Sequence, residues 1–296
     1  MNKIIFSFSF IVLIFTLHAQ MGDNDYNPWK YIREELIISS LEKMQLNDRQ
    51  DCESVKEAID NYNVLRKETM EKDTMSFVTY MSLRSISFFQ CPSSYNFIKD
   101  LIKTDSSEQI KCGAIRLLGW MRGIESITFL KELLKKERLS TQEKYHIILA
   151  FCQIGIFNER EDIMDEAIEL TEQFCSSRNG MAYNCASNDC AELYFTIGGE
   201  PATNYFSYCL ENEKYNLVAA LKLAQLGEYE KTFPIFAETI KNKNVDDMFT
   251  AMQGLAAIGT EEAFKLIRAQ TQNENASIAK QAQWIFDYID RKRREQ

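Results

Sequence analysis

Four apolar segments that each end in glycine recur along the middle and end of this chain. Gly119 and Gly155 are 36 residues apart, Gly227 and Gly259 are 32 apart, and Gly119 and Gly227 are 108 apart, about three repeats. The segments read Ile115-Arg116-Leu117-Leu118-Gly119, Cys152-Gln153-Ile154-Gly155, Leu223-Ala224-Gln225-Leu226-Gly227 and Leu255-Ala256-Ala257-Ile258-Gly259. Periods in this range are typical of stacked helical hairpins, in which no single unit buries its own apolar face. The pattern therefore predicts helix–turn–helix units with glycine at the turn.

The sequence between these endings predicts where helices begin and end. Two capping boxes, Ser106 to Gln109 and Ser140 to Glu143, mark helix starts. Apolar residues at three- and four-residue spacing follow each box and predict an apolar stripe on each helix. Further helices are predicted over 29–44, 55–70, 75–89, 95–102, 161–174 and 278–291, with turns at Gln90-Cys91-Pro92-Ser93 and Gly198-Gly199.

The glycine endings, each followed by an acidic turn and a second apolar helix, resemble the HEAT-like (armadillo-type) helical repeat family. Gly227-Glu228-Tyr229-Glu230 and Gly259-Thr260-Glu261-Glu262 are examples. The resemblance covers about residues 75–290 and implies an all-α fold, a right-handed α-solenoid of HEAT-like helical hairpins. Tetratricopeptide repeats are the nearest alternative. We rank them lower because that family keeps a spacing of about 34 residues, whereas the spacing here varies.

Residues 1–19 have the features of a signal peptide. Lys3 precedes an uncharged apolar run over 4–17, and Ala19 offers a small residue before a cleavage position. The run is short for a bilayer span, so cleavage is predicted in preference to an uncleaved anchor. No later segment is apolar enough to cross a membrane. We therefore expect a periplasmic or extracellular protein, with an N-terminal helical cap over 20–72 and the repeat array over 73–296.

The charge balance bears on which partners the exported chain could bind. The whole sequence carries a formal net charge of −9 at pH 7. An acidic chain is poorly suited to nonspecific binding of nucleic acid or anionic lipid, because both are polyanionic. We therefore expect no nucleic acid among its partners. The lack of a later apolar run likewise predicts no integral membrane segment after signal removal.

A cysteine-rich insertion interrupts the repeat rhythm at about 175–190. Gly198 follows Gly155 by 43 residues, about eleven more than the 32-residue unit needs, and the surplus is rich in small polar residues. The chain has eight cysteines, an even number that permits disulfides in an oxidising compartment. We predict a disulfide from Cys175 to either Cys185 or Cys190. Several other cysteines are equally consistent with small buried apolar residues.

Tyrosines gather around the same insertion and allow two interpretations. Most have the helical spacing of core residues, and the remainder would form an exposed recognition patch, where tyrosine offers a large contact area at low entropy cost. The patch candidates are Tyr183, Tyr194, Tyr205 and Tyr208.

Motifs for catalysis or metal binding are missing from the sequence. Once His18 leaves with the signal peptide, His146 is the single histidine, and its position on the first turns of a helix favours a structural role. The cysteines lack zinc-binding spacing, and the glycines are scattered rather than grouped in a phosphate-binding loop. We therefore expect no catalytic residues, no metal and no cofactor.

These observations predict an exported, noncatalytic α-solenoid scaffold that binds a peptide or protein partner, with the inner surface of the second helices as the expected binding face. The alternative is an enzyme, or an enzyme-accessory module, of the cell envelope, since some HEAT-like arrays are lyase-type or hydroxylase-type proteins. A component of cell-envelope assembly is a third reading that differs only in its partner.

Overall fold

Helices account for nearly all of the regular structure in the computed structural model, which describes residues 52–69, 77–136, 138–176, 185, 187–211, 216–242 and 244–295. All of these helices belong to one compact unit, Asp51–Gln296. No β-strand occurs in the described ranges. The α-helices are α1 (Glu53–Thr69), α2 (Phe77–Phe88), α3 (Pro92–Thr104), α4 (Glu108–Met121), α5 (Glu125–Leu134), α6 (Thr141–Phe157), α7 (Glu161–Cys175), α8 (Asn188–Ile197), α9 (Gly199–Leu210), α10 (Asn216–Gln225), α11 (Tyr229–Thr239), α12 (Val245–Ile258), α13 (Glu261–Ala269) and α14 (Ala276–Glu295).

The helices follow one another as hairpins in chain order, as the repeat rhythm predicts, although α5 packs on α6 rather than on α4. Six hairpins follow α1, from α2–α3 to α12–α13, and α14 closes the series. The first helix of a hairpin packs on the first helix of the next, in the pairs α2–α4, α4–α6, α6–α8, α10–α12 and α12–α14. The step from α8 to α10 departs from this pattern, because the preceding helix on which α10 packs is α9. Contacts between successive units, rather than across the chain, are the arrangement of a HEAT-like helical repeat array.

The recurring glycines have two different structural roles, so the prediction of a glycine turn is only half right. Gly227 and Gly259 do make turns, with left-handed φ of 93° and 72°. Gly119 and Gly155 lie inside α4 and α6. The left-handed residue after α4 is Arg122. At these interior glycines, neighbouring atoms lie where a Cβ would be, including the Ala150 backbone at Gly119 and the Met164 side chain at Gly155.

Helix starts follow the capping residues, with one displacement from the prediction. The Ser140–Glu143 capping box is confirmed: the Glu143 amide donates to Ser140 Oγ at 3.1 Å, and the Ser140 amide donates to Glu143 Oε2 at 2.9 Å. At α4 the N-cap is Ser107, not Ser106. Asp105 explains the difference, because its carboxylate accepts the Ser107 amide at 2.8 Å and fixes the chain one residue later.

The buried apolar residues form two clusters that meet at α10. Ala219 and Leu223 belong to the cluster that extends back to Tyr62. Ala220 and Ala224 belong to the cluster that extends forward to Ile285. Ala219 and Leu223 are four residues apart and share one helix face, as do Ala220 and Ala224, so α10 contributes one face to each cluster.

The predicted signal peptide over 1–19 and the predicted helix over 29–44 lie outside the described residues. The helix predicted over 55–70 corresponds to α1, which packs on α2 and α3. A disulfide between Cys52 and Cys91 also joins the start of α1 to the start of α3. The division between cap and array at residue 72 stays a prediction.

Candidate functional site

The cysteines around the insertion form two disulfides. The structure joins Cys175 to Cys190, one of the two pairings predicted from the sequence, with the Cα atoms 5.6 Å apart. It joins Cys185 to Cys209 on α9, with the Cα atoms 5.5 Å apart. The second pair could not be predicted from the sequence, because Cys209 has the helical spacing of a core residue, and its side chain is buried. Together with Cys52–Cys91, these pairs indicate an oxidising environment.

The tyrosine patch predicted beside the insertion is wrong for two of its four members. Tyr194 and Tyr205 are each 1% exposed, and their rings stack with centroids 4.2 Å apart. Burial raises the pKa of the Tyr205 hydroxyl to about 12. Both side chains are core residues because they lie on the faces by which α8 and α9 pack together. Tyr208 is 42% exposed, and Tyr183 lies outside the described residues.

A different group of side chains lies along the first helices. We call it the cation–aromatic strip and define it by six residues: Arg84 on α2, Arg116 and Trp120 on α4, Glu192 and Phe195 on α8, and Lys222 on α10. Contacts link Arg84, Trp120, Arg116 and Glu192, and a separate contact joins Phe195 to Lys222. All six are partly or largely buried.

The first part of the strip places two guanidinium groups against one ring. Arg84 Cζ lies 4.3 Å from the centre of the Trp120 ring, and Arg116 Cζ lies 5.8 Å from it. Arg116 and Trp120 share a face of α4 because they are four residues apart. Each such cation–ring contact contributes about 0.5–1 kcal/mol at a partly exposed site.

The second part of the strip begins where Arg116 reaches past α6 to α8. Its Nη2 lies 3.8 Å from Glu192 Oε1, and Glu192 retains 38% of its side-chain exposure. One turn further along α8, Phe195 lies under Lys222, whose Nζ is 3.9 Å from the ring centre. The Arg116–Glu192 pair therefore connects the two cation–ring groups.

The start of α6 lies between these two parts and carries two titratable side chains. Burial raises the pKa of the Tyr145 hydroxyl, and its hydrogen bond to Glu192 raises it further. Burial lowers the pKa of His146 to about 4, with a further contribution from the positive charge of Arg116. His146 Nδ1 is buried and finds no hydrogen-bond partner among the described residues. The imidazole is therefore neutral at pH 7.

Sequence reasoning missed the strip because its members are far apart in the chain. Arg84 and Trp120 are separated by 36 residues, and Arg116 and Glu192 by 76. Only the Arg116–Trp120 spacing was visible as a local signal. The close packing of α4 on α6 depends on Gly119, where an added Cβ would lie 2.8 Å from Ala150 Cα.

The described residues contain neither a metal-binding cluster nor a membrane-spanning helix. No group of three or more His, Cys, Asp or Glu side chains is arranged to hold a metal ion within these ranges. Among the described helices, none is both long and apolar enough to span a bilayer.

Comparison with known proteins gives similarity in fold only. No protein-family model and no curated protein sequence matches the chain. Among solved structures, human deoxyhypusine hydroxylase is 13% identical, with a TM-score of 0.31, covering 79% of this chain and 97% of that one. The complex of CpcE and CpcF of phycocyanin lyase from Nostoc sp. PCC7120 is 12% identical, with a TM-score of 0.39 and coverages of 73% and 91%.

A third similar structure is the archaeal HEAT-like repeats protein from Thermococcus onnurineus NA1. It is 12% identical, with a TM-score of 0.35, and the match covers 76% of this chain and 97% of that one. Identities and scores this low carry no functional argument. The helix pairing described above is the basis for the fold, and by that pairing the chain is an array of HEAT-like helical hairpins.

Proposed function

We propose that this protein is an exported, noncatalytic scaffold that binds a peptide or protein partner along the cation–aromatic strip. The observation that carries the proposal is the extent of the strip, whose residues lie on α2, α4, α8 and α10 and therefore on several repeat units. Repeat arrays commonly bind through extended surfaces of this kind. Arginine and tryptophan are also the side chains most enriched at the energetic centres of protein interfaces.

This location differs from the one expected from sequence. The expected binding face was that of the second helices, with the insertion as the first place to look. The strip lies on first helices instead, and two of the tyrosines near the insertion are buried.

Selection from a displayed random-peptide library tests the proposal. We expect enriched peptides to bind the full chain and to lose about tenfold in affinity on Trp120→Ala, since truncating an interface anchor costs 1 kcal/mol or more. Trp284→Ala is the control, because it removes a tryptophan that lies on α14, where the ring stacks on Tyr288. The proposal fails if nothing is enriched, or if both variants reduce binding equally.

Export is the second element of the proposal. The three disulfides support it, because such bonds persist outside reducing compartments. Intact-mass analysis of the protein from its native host tests it. We expect an N-terminus at Gln20, three disulfides and free thiols at Cys112 and Cys152. A full-length cytosolic chain with all thiols reduced would rule export out.

An enzyme or enzyme-accessory module is the alternative, and His146 is the observation that favours it. Its buried Nδ1 lacks a partner within the described part, and the charge of Arg116 acts on its imidazole. A bound substrate could supply that partner. The substitution His146→Gln tests the enzyme alternative against the scaffold function. If His146 has only a structural role, the affinity for peptide should stay within about twofold of that of the unsubstituted protein.

A further inference from the structure

We propose that Asn275 is the acceptor of an N-linked glycan, which joins the side-chain nitrogen of this asparagine when the chain is exported. The inference rests on the export element of the proposed function, because N-linked glycans are attached to chains that enter an exported compartment. It adds a covalent modification that the scaffold function does not require.

The acceptor pattern lies at Asn275-Ala276-Ser277. N-linked glycosylation requires asparagine, then any residue except proline, then serine or threonine. No other asparagine in the sequence has serine or threonine two positions later. A pattern of three residues also arises by chance, so the structure has to show whether a glycan fits at this position.

The surroundings of Asn275 leave room for a bulky group. Asn275, Ala276 and Ser277 are all exposed, in the connection between α13 and α14 and on the first turn of α14. The first buried side chain that follows is Ile278, which is 2% exposed. A glycan on Asn275 can therefore extend into solvent without displacing a core residue, as such glycans do on surface loops.

The two ends of the Asn275 amide have different roles. Its Oδ1 accepts the Ser277 amide at 3.0 Å and the Ile278 amide at 3.4 Å, and so caps the start of α14. Its Nδ2 donates no hydrogen bond to the described residues, whereas Asn273 Nδ2 donates to Gln270 Oε1 at 2.8 Å. A glycan replaces one hydrogen of Nδ2 and leaves Oδ1 unchanged. The modified Asn275 can therefore still cap the helix.

The transfer step uses a sugar donor that the exporting cell supplies, a lipid-linked oligosaccharide pyrophosphate. A bond forms between Asn275 Nδ2 and the anomeric carbon of the first sugar, and the bond between that carbon and the phosphate oxygen breaks. The lipid pyrophosphate leaves, and the proton lost from Nδ2 passes to a base of the transferase. No group is oxidised or reduced. Because transfer precedes folding, the folded structure only has to accommodate the product.

Peptide mapping of the protein from its native host tests the inference. Peptide N-glycosidase converts a glycosylated asparagine into aspartate, and in heavy-oxygen water the new carboxylate carries the isotope. We expect the isotope at position 275. An exported protein whose Asn275 is unmodified overturns the inference.

Variants of the full precursor locate the acceptor, after expression in a host whose secretory pathway attaches N-linked glycans. Asn275→Gln and Ser277→Ala should each abolish the increase in mass, and Ser277→Thr should retain it. Ser277→Ala is the more decisive of these substitutions, because it leaves the Asn275 cap in place and removes only the hydroxyl that the transferase recognises. A glycan that persists in Ser277→Ala excludes the assignment. Circular dichroism spectra establish that each variant is folded.

Asn244 provides a matched control at the start of α12. It is also an exposed N-cap residue, and its Oδ1 accepts the Asp246 amide at 3.0 Å and the Asp247 amide at 3.3 Å. Because the residue two positions later is Asp246, Asn244→Gln should leave the glycan unchanged. Asp246→Ser combined with Asn275→Gln should restore one glycan, now at Asn244. Failure to restore it would count against transfer to an N-cap asparagine, and therefore against Asn275.

The outcomes also separate this inference from the proposed function. A native protein that begins at Gln20, contains the three disulfides and has a bare Asn275 leaves export standing and excludes the glycan. A full-length chain with reduced thiols excludes export and the glycan together. Peptide affinity should be the same with and without the glycan, because Asn275 immediately precedes α14 whereas the strip lies on α2, α4, α8 and α10.

Discussion

Gly119 and Gly155 lie in equivalent positions on successive first helices, yet alanine should have different effects at the two sites. Both glycines are inside an α-helix. In a helix interior, alanine is favoured over glycine by about 1 kcal/mol. Without obstruction, both substitutions would therefore stabilise the protein.

At position 119 the obstruction includes backbone. The atom nearest to a Cβ added to Gly119 would be Gln153 Oε1, at the end of a flexible side chain, but the Cβ would also lie 2.8 Å from Ala150 Cα and 3.1 Å from Ala150 Cβ. The Cα cannot yield unless α6 moves as a whole, and α6 is also packed on α7 and α8. Overpacking of this kind costs about 1–3 kcal/mol, and we place this case near the upper end. After subtracting the helical gain, Gly119→Ala should destabilise by about 2 kcal/mol.

At position 155 the obstruction is a flexible side chain. The added Cβ would lie 2.8 Å from Met164 Sδ, 3.0 Å from Met164 Cγ and 3.2 Å from Ile163 Cγ2. A methionine side chain has three rotatable bonds and adapts to small changes in volume. The overpacking cost should therefore be about 1 kcal/mol, which the helical gain offsets. Gly155→Ala should change stability by less than about 0.5 kcal/mol.

Urea unfolding followed by circular dichroism measures both variants, and differential scanning calorimetry gives the melting temperatures. For a chain of this size, about 2 kcal/mol corresponds to a decrease of roughly 4–8 °C in Tm. We expect that decrease for Gly119→Ala and a change of no more than about 2 °C for Gly155→Ala. The reasoning is refuted if the two variants are equally stable, or if Gly155→Ala is the less stable one.

Three further substitutions test other features of the structure. Gly227→Ala should lower the free energy of unfolding by about 1 kcal/mol, because the φ of 93° at this position disfavours a side chain although nothing lies within 4 Å of the added Cβ. Urea unfolding measures the change, and an unchanged midpoint would contradict the prediction. Arg66→Met should lower the free energy of unfolding by about 3 kcal/mol, because it leaves the largely buried Asp105 carboxylate without its two hydrogen bonds from Arg66. Adding Asp105→Asn should recover part of that stability, and no recovery would argue against a charge effect. The free energy of unfolding should decrease as the pH falls from about 6.5 to about 4, because the lowered pKa of His146 means that the unfolded chain binds the proton at a higher pH than the folded one. In His146→Gln this part of the pH dependence should disappear from the unfolding curves, and if it persists, other groups cause it.

The order of the helices could be predicted because the information is local. Apolar spacing, capping residues and turn sequences lie within a few residues of each helix end, and the predicted and observed ends usually agree to within a few residues. The two roles of glycine could not be separated in this way. Gly119 and Gly227 follow similar apolar segments, and only the position of the neighbouring helix determines that one is a close approach and the other a turn.

The candidate site was hidden for a similar reason. Arg116 and Glu192 come together because α4 and α8 both pack on α6, which brings the two side chains to 3.8 Å from each other. Tyr194 and Tyr205 were assigned to a recognition patch from the sequence, because several tyrosines gather near the insertion. In the structure their rings stack on each other and are buried. Both results depend on tertiary packing, which cannot be predicted from the spacing of residues in a single sequence.

The division of the core at α10 has a consequence for the way the chain unfolds. Residues on one side of this helix belong to the cluster that reaches Tyr62, and residues on the other side belong to the cluster that reaches Ile285. In a linear array, cooperativity passes only between neighbours, so α10 is the link through which the last hairpins share the stability of the rest. Weakening that helix should convert a single melting transition into two, with the segment from α11 to α14 melting independently of the region that carries the disulfides.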